Sequence, residues 1–252
     1  MTSKMEYTNE QRLKMIEDAL GIDKTNPHQQ KPEPAKIAGA ADFWRINNVF
    51  YRNVNCTIDL AKVLLDNGSS KTQSKWIEYS RQAKAKGDFY VGDMPLYHAV
   101  FTALSKTQSK DAEEAKEFIR SQMRSKWLMT LTRIKYMPKE KDEAIHNFGM
   151  DDEYTLKGVI VGQNGFIESG DSDCLEALLG TGNISEINKV YQWLNGTNVH
   201  IWRLNSKPKN IDERVAGFNA YSGRADHDCD EVPGYSVSSL GVRKVAPLGV
   251  SK

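Results

Sequence analysis

The hydrophobic pattern of this chain changes period at Trp127, and that change limits the kind of fold the chain can adopt. On the N-terminal side apolar residues recur at helical spacing; beyond it they alternate with polar ones, the signature of half-buried strands. TNEQRLKMIEDALG predicts a short amphipathic helix within residues 1–21, with Thr8 as cap, Leu13, Ile16 and Leu20 on one face and Gly21 as stop. Pro27, Pro32 and Pro34 fall in a polar setting that no regular element tolerates, so residues 22–40 read as a linker or extended arm. From Asp42 to about Arg124 the reading is again helical. Ile58, Val63, Leu64 and Leu65 precede the breaker DNGSS, Pro95 suits a first turn before Leu96, Val100, Phe101 and Leu104, and DAEEAKEFIRSQM forms another helix. The hexapeptide SKTQSK occurs at 70–75 and again at 105–110, beside helix boundaries both times. Its surroundings match poorly, so the two copies read as similar caps rather than a solenoid repeat.

From Trp127 onward β-branched and aromatic residues take over. WLMTLTRIKYMP ends at Pro138, EAIHNFG, YTLKGVIVG and GFI follow, and GQNG is a hairpin signal. Two short helices interrupt: SDCLEALLG, capped by Ser172 and stopped by Gly180, and SEINKVYQWLNG, capped by Ser185 and stopped by Gly196. The expected class is α+β, a helical region over 41–125 followed by a domain over 126–252 of antiparallel strands around two helices.

Composition excludes several function classes. With 39% hydrophobic and 27% charged residues, the chain belongs with soluble globular proteins. No run approaches the roughly 20 apolar residues of a membrane helix. The N-terminus lacks the apolar core of a signal peptide. No membrane insertion is therefore expected and a cytoplasmic location is the default, with display on a cell surface or virion as the alternative. A net charge of +1 without a basic stripe argues against a nucleic-acid partner. Cys56, Cys174 and Cys229 are odd in number and widely separated, so three free thiols are expected rather than a disulfide framework or zinc knuckle. No P-loop, dinucleotide fingerprint, G-x-S-x-G or H-E-x-x-H is present, and no cofactor is expected.

The densest chemistry lies in RADHDCDE, residues 224–231, which first suggests metal ligands. A strand separates the cluster by parity. Ala225, His227 and Cys229 point to the core, while Asp226, Asp228 and Asp230 point outward at a pitch of roughly 6–7 Å, too far apart along one strand to chelate one ion. No metal site is expected. In the preceding stretch Ala216, Phe218 and Ala220 alternate in the same way with Gly217, Asn219 and Tyr221, so two neighbouring strands present a wall of Asn, Tyr, Asp and Arg224. Tyrosine and small polar residues on a rigid scaffold are typical of adaptable binding surfaces. His146, His200 and Asp142 offer a general-base arrangement, but nothing in their spacing requires one, and structural histidines are the simpler reading.

Lysine is frequent elsewhere yet absent from Asn210 through Arg243, a window that also lacks Gln, Met and Trp. The residues found there instead (Asn, Tyr, Ser, Gly, Arg, Asp, His, Val) are those reached by changing the adenines of an Asn codon that ends in a pyrimidine; Glu231 falls outside that scheme. On Arg214, Val215, Phe218, Ala220, Ser222, Arg224, Ala225, Cys229, Pro233, Ser236 and the SLGVR of residues 239–243, the chain resembles the variable proteins of diversity-generating retroelements, the archaeal ones in particular. The resemblance extends to TLTRIKYMPKEKDEAIHNFG at 130–149 and NGTNVHIWRLNSKP at 195–208, about the C-terminal half.

That resemblance implies a C-type lectin-like domain whose selected codons are rewritten by adenine-specific mutagenic reverse transcription. The strand from Trp127 to Met137 would then pair with a terminal strand around Leu240 to Val245. The ligand-contacting positions would be Gly217, Asn219, Tyr221, Ser222, Arg224, Asp226, Asp228, Asp230, Glu231, Tyr235, Ser236 and Ser238. The function implied is non-enzymatic recognition of a macromolecule, a protein in the first place. The competing class is a metal-dependent hydrolase using His200, Asp226 and His227.

Overall fold

A computed structural model describes residues 35–158, 165–167, 172–202, 208–221 and 223–245. The helix expected within 1–21, the arm up to residue 34 and Ser222 lie outside the described residues. The described residues form an α+β fold. In chain order the elements are β1 (Ile37–Gly39), β2 (Phe43–Tyr51), β3 (Val54–Ala61), a 3-10 turn at Leu65–Gly68, α1 (Gln73–Lys86), α2 (Met94–Ser105) and α3 (Lys110–Ser125). Then come β4 (Leu128–Tyr136), β5 (Asp142–His146), β6 (Tyr154–Gly158), β7 (Gly165–Phe166), α4 (Ser172–Leu179), α5 (Ile184–Asn195), β8 (Val199–Trp202), β9 (Asp212–Tyr221), β10 (Arg224–Glu231) and β11 (Val242–Val245). Two sheets result, one ordered β1-β2-β3-β11 and the other β6-β5-β4-β9-β10-β8-β7. Among the described residues no helix is long and apolar enough to cross a membrane.

The helical reading of residues 41–125 holds for its second half only, because residues 43–61 form the β2–β3 hairpin. Arg52 and Asn53 both take positive φ, 52° and 62°, the turn conformation that matches the twist of paired strands. A bulge explains why period 2 is hidden there. The ladder shifts between Ile46 and Val49, so the buried residues run Trp44, Ile46, Val49, Tyr51, a spacing that imitates a helix. Both SKTQSK copies act as caps. Thr72 accepts from the Lys75 amide at 3.4 Å and Ser109 from the Ala112 amide at 3.1 Å. In the second half of the chain α5 is capped by Asn183 rather than Ser185, through a 3.2 Å bond from the Glu186 amide.

The C-terminal strand pairs differently from expectation. β4 is a strand, but its partners are β5 and β9, whereas β11 pairs with β3. The residues just before β11 do reach β4: the Met129 amide bonds the Ser238 carbonyl at 2.9 Å, and the Ser239 hydroxyl donates to the Met129 carbonyl at 2.8 Å. Described residues on both sides of the expected 125/126 boundary thus share a sheet and one hydrophobic core. Asp59 locks the β3–β11 pairing. Its buried carboxylate takes Arg45 at 2.7 and 3.0 Å and Arg243 at 2.8 and 3.2 Å. Burial alone pushes the Asp59 carboxyl up, but the two guanidinium groups outweigh it and hold the group below its ordinary value.

Helix α2 is the central buried element and positions β9. Asp93 caps it, accepting from the Leu96 amide at 2.8 Å and from the Tyr51 hydroxyl at 2.7 Å. Tyr97 donates to the Leu240 carbonyl at 2.8 Å, and Tyr97 and Phe101 set their rings 5.9 and 5.5 Å from that of Phe218. Burial of a side chain such as Phe218 contributes roughly 2–3 kcal/mol, so β9 is held from behind by aromatic packing.

Candidate functional site

The sheet register assigns each side chain of the β8–β10 region to a face. Cross-strand partners share a face, and the partners are Tyr221 with Arg224, Ala220 with Ala225 and Val199, Asn219 with Asp226 and His200, Phe218 with His227 and Ile201, and Gly217 with Asp228 and Trp202. The parity expected from sequence therefore holds. One face carries Val199, Ile201, Phe218, Ala220, Ala225 and His227, all buried in the core. The other carries Asn219, Tyr221, Arg224, Asp226, Asp228, His200 and Trp202.

On the core face, His227 packs edge-on against Phe218 at 5.2 Å and Tyr191 at 4.7 Å, and neither ring nitrogen has a hydrogen-bond partner. Burial pushes its pKa well below the ordinary histidine value, with His98 adding to the effect, so His227 is neutral at pH 7. The His200–Asp226–His227 arrangement does not assemble. His200 and Asp226 lie together on the outer face, while His227 points to the opposite side of the sheet. The other general-base arrangement is engaged structurally. His146 contacts the Thr132 hydroxyl at 3.0 Å through Nδ1 and the Ala177 carbonyl at 2.8 Å through Nε2, so Nε2 carries the proton. Asp142 accepts from the Met137 amide at 2.9 Å.

The outer face differs from expectation in one respect. Asp226 and Asp228 point away from the core but are not solvated: they are 0% and 3% exposed, and neighbouring Asn219 and His200 are 7% and 8% exposed. The long aromatic and guanidinium side chains of this face account for the cover. Arg224 bonds Asp226 Oδ2 through Nε at 3.0 Å, with its guanidinium 5.2 Å from the rings of both Trp202 and Tyr221. His200 lies edge-on to Phe166 at 5.1 Å and to Trp202 at 5.8 Å. Asn219 donates to Asp228 Oδ2 at 2.9 Å. His200 Nδ1 stands 3.2 Å from Asp226 Oδ1 without hydrogen-bond geometry, so both atoms stay unpaired, as do Asn219 Oδ1 and Asp228 Oδ1.

Electrostatics follow from this burial. Desolvation pushes the Asp228 carboxyl up to about 7, helped by the charges of Asp226, Asp230 and Glu231, while the nearby Trp127 indole offsets part of the rise. Asp226 is raised by burial against the opposing pull of Arg224 and His200, and His200 is lowered by burial against the pull of Asp226.

The remaining sequence-derived positions are dispersed. Tyr221 and Tyr235 are exposed, at 58% and 62%, and Ser236 and Asp230 are exposed as well. Glu231 is half-buried and accepts from the Val232 amide at 2.8 Å. Ser238 is buried and donates to the Gly68 carbonyl at 2.9 Å, so it is a structural tie rather than part of an open surface. Gly217 is buried beneath Trp127, whose ring carbons would lie 2.5 Å from a Cβ added there. Trp127, Trp202 and Phe166 are not among the site residues that the sequence points to. Alternation in VHIW pairs His200 with Trp202, but the parallel β8–β10 register that brings both beside Asp226 and Asp228 has no local signal.

Among the described residues no group of three or more His, Cys, Asp or Glu is placed to hold a metal ion. No family model, curated protein or solved structure matches the chain.

Proposed function

We propose that this chain is a non-enzymatic recognition protein. It presents a retroelement-diversified surface on a C-type lectin-like domain, and the outer face of β8, β9 and β10 is the contact surface for a protein ligand. The observation that carries the reading is the strand register. It collects Asn219, Tyr221, Asp226 and Asp228, all positions of the diversified pattern, on one face together with Arg224, which belongs to both frame and pattern, while the frame residues Phe218, Ala220 and Ala225 lie on the other, within the core. Exposed Tyr221 can be exchanged without repacking the core, whereas Asn219, Asp226 and Asp228 are buried and exchange there alters the contacts they share. Exposed Tyr221 supplies contact area at low entropic cost, and the strands beneath are held rigidly by the α2 aromatics.

Gene neighbourhood tests the proposal. A near-copy of the 3′ end of this gene beside a reverse transcriptase gene is the expected finding; absence of both from the locus contradicts it.

A further inference from the structure

We infer that the outer face of β8–β10 binds its ligand through a cationic side chain, a guanidinium or ammonium carried by a protein, set against Asp228 and Asn219. The inference rests on the recognition reading above and adds the chemistry of the ligand.

The first observation is a set of unpaired acceptors. Asp226, Asp228 and Asn219 are all more than nine-tenths buried, share one face and each leave one side-chain oxygen without a hydrogen-bond partner. Asn219 donates through its NH₂ to Asp228 Oδ2, which leaves Asn219 Oδ1 without a partner. Buried acceptors without donors are rare and costly. The complement to such a cluster is a group bearing several N–H donors and positive charge.

The second observation is a charge imbalance. Asp228 is met by neutral groups, the Asn219 amide at 2.9 Å and the Trp127 indole. The nearest cation on its strand, Arg224, is bonded to Asp226. Arg214, on β9, bonds Asp212 at 3.0 Å and the Asp230 carbonyl at 3.4 Å. A third observation shows that the face suits a guanidinium, since it already holds that of Arg224 between the rings of Trp202 and Tyr221 and against a carboxylate. Trp127, half-buried across Gly217, places a further indole beside Asp228. A metal ion fits less well, because carboxylates two residues apart on one strand are spread over roughly 6–7 Å, a span that suits a forked donor better than a single ion.

The test titrates the full chain with N-acetyl-arginine amide and, separately, with N-acetyl-citrulline amide, which has the same shape without the charge. Binding is followed through backbone amide NMR shifts. The arginine compound is expected to shift the amides of Gly217, Asn219, Asp226 and Asp228 and to bind at least tenfold tighter than the citrulline compound. Asp228→Asn is expected to remove at least tenfold of that affinity. Equal binding of both compounds on this face overturns the cationic inference and leaves the recognition reading standing, as does arginine binding that Asp228→Asn leaves unchanged. Failure of the arginine compound to shift any amide of this face also overturns the inference. The comparison of the two compounds needs only the wild-type chain, so it decides even if the variant does not fold. The recognition reading stands or falls separately, on the gene locus.

Discussion

Asn219 and Asp228 are joined diagonally across the β9–β10 ladder. The asparagine lies opposite Asp226, yet its amide donates to Asp228 at 2.9 Å. The residue directly opposite Asp228 is Gly217, which has no side chain to offer and leaves its space to the Trp127 ring. A small residue at 217 thus sets how the carboxylate, the amide and the indole share this face.

Gly217→Ala is expected to destabilise the protein by about 1–3 kcal/mol, the usual cost of overpacking. The new Cβ meets the Trp127 ring and lies 2.8 Å from the Leu128 carbonyl oxygen. Urea unfolding measures the loss. In the Trp127→Ala background the same substitution should cost less, the remainder reflecting the backbone contact.

Asp228→Asn is expected to stabilise the fold at neutral pH. The folded-state carboxyl, pushed up to about 7, lies above its ordinary value of 3.8. As pH rises the unfolded chain releases its proton first, so the stability contributed by neutral Asp228 is full below about pH 4 and lost by about pH 7. Asparagine cannot ionise. The stability of the variant relative to wild type should climb across this window, by about 2–4 kcal/mol at most, and then level off. Unfolding free energies at pH 4.5, 6 and 7.5 check it.

Acid should destabilise the wild-type protein. Burial holds His98 and His146 down to about 4 and His227 well below the ordinary 6.5. The stability that these neutral rings contribute is present above about pH 6.5 and lost as pH falls toward 4. Asp228 and Asp93, the latter raised by burial to about 6, pull the other way over part of the window. His200 is lowered as well and Asp226 and Asp230 are raised, so four histidines stand against four carboxyls; the large shifts of His98, His146 and His227 against those of Asp228 and Asp93 set the sign, and the melting temperature should drop between pH 7 and pH 5. His227→Phe replaces a ring with unpaired nitrogens by an apolar one and should lessen that drop.

Asp59→Ala should loosen the closure between β3 and β11. It removes a buried carboxylate and leaves Arg45 and Arg243 without their shared partner, although both guanidinium groups retain access to water. A cost of about 1–3 kcal/mol is expected, below that of a fully buried pair. Hydrogen exchange of the β11 amides should accelerate more than that of β9 or β10.

Where elements were legible in the sequence, a local signal existed. Period 2 across residues 214–231 separates Phe218, Ala220 and His227 from Asn219 and Asp226, and the ladder obeys it. The helix after Pro95 begins at the Asp93 cap. What was misread had its signal interrupted: the bulge after Ile46 turned a strand into a mimic of helical spacing, and Asn183 rather than Ser185 proved to be the cap. Burial of Asp226 and Asp228 was not legible, because beyond their strand neighbour Arg224 it depends on Trp202 and Trp127, which pairing distant in the chain brings over them. The partner of β11 was likewise out of reach, since choosing between β3 and β4 is a tertiary decision with no sequence period of its own.

The central claim is that the outer face of β8–β10 is diversified for recognition, and sequencing this locus across a population of its source tests it most directly. Substitutions concentrated at Asn219, Tyr221, Arg224, Asp226, Asp228 and the other positions of the pattern, with Phe218, Ala220, Ala225 and Cys229 unchanged, are the predicted result. Substitutions scattered evenly along the gene would contradict it.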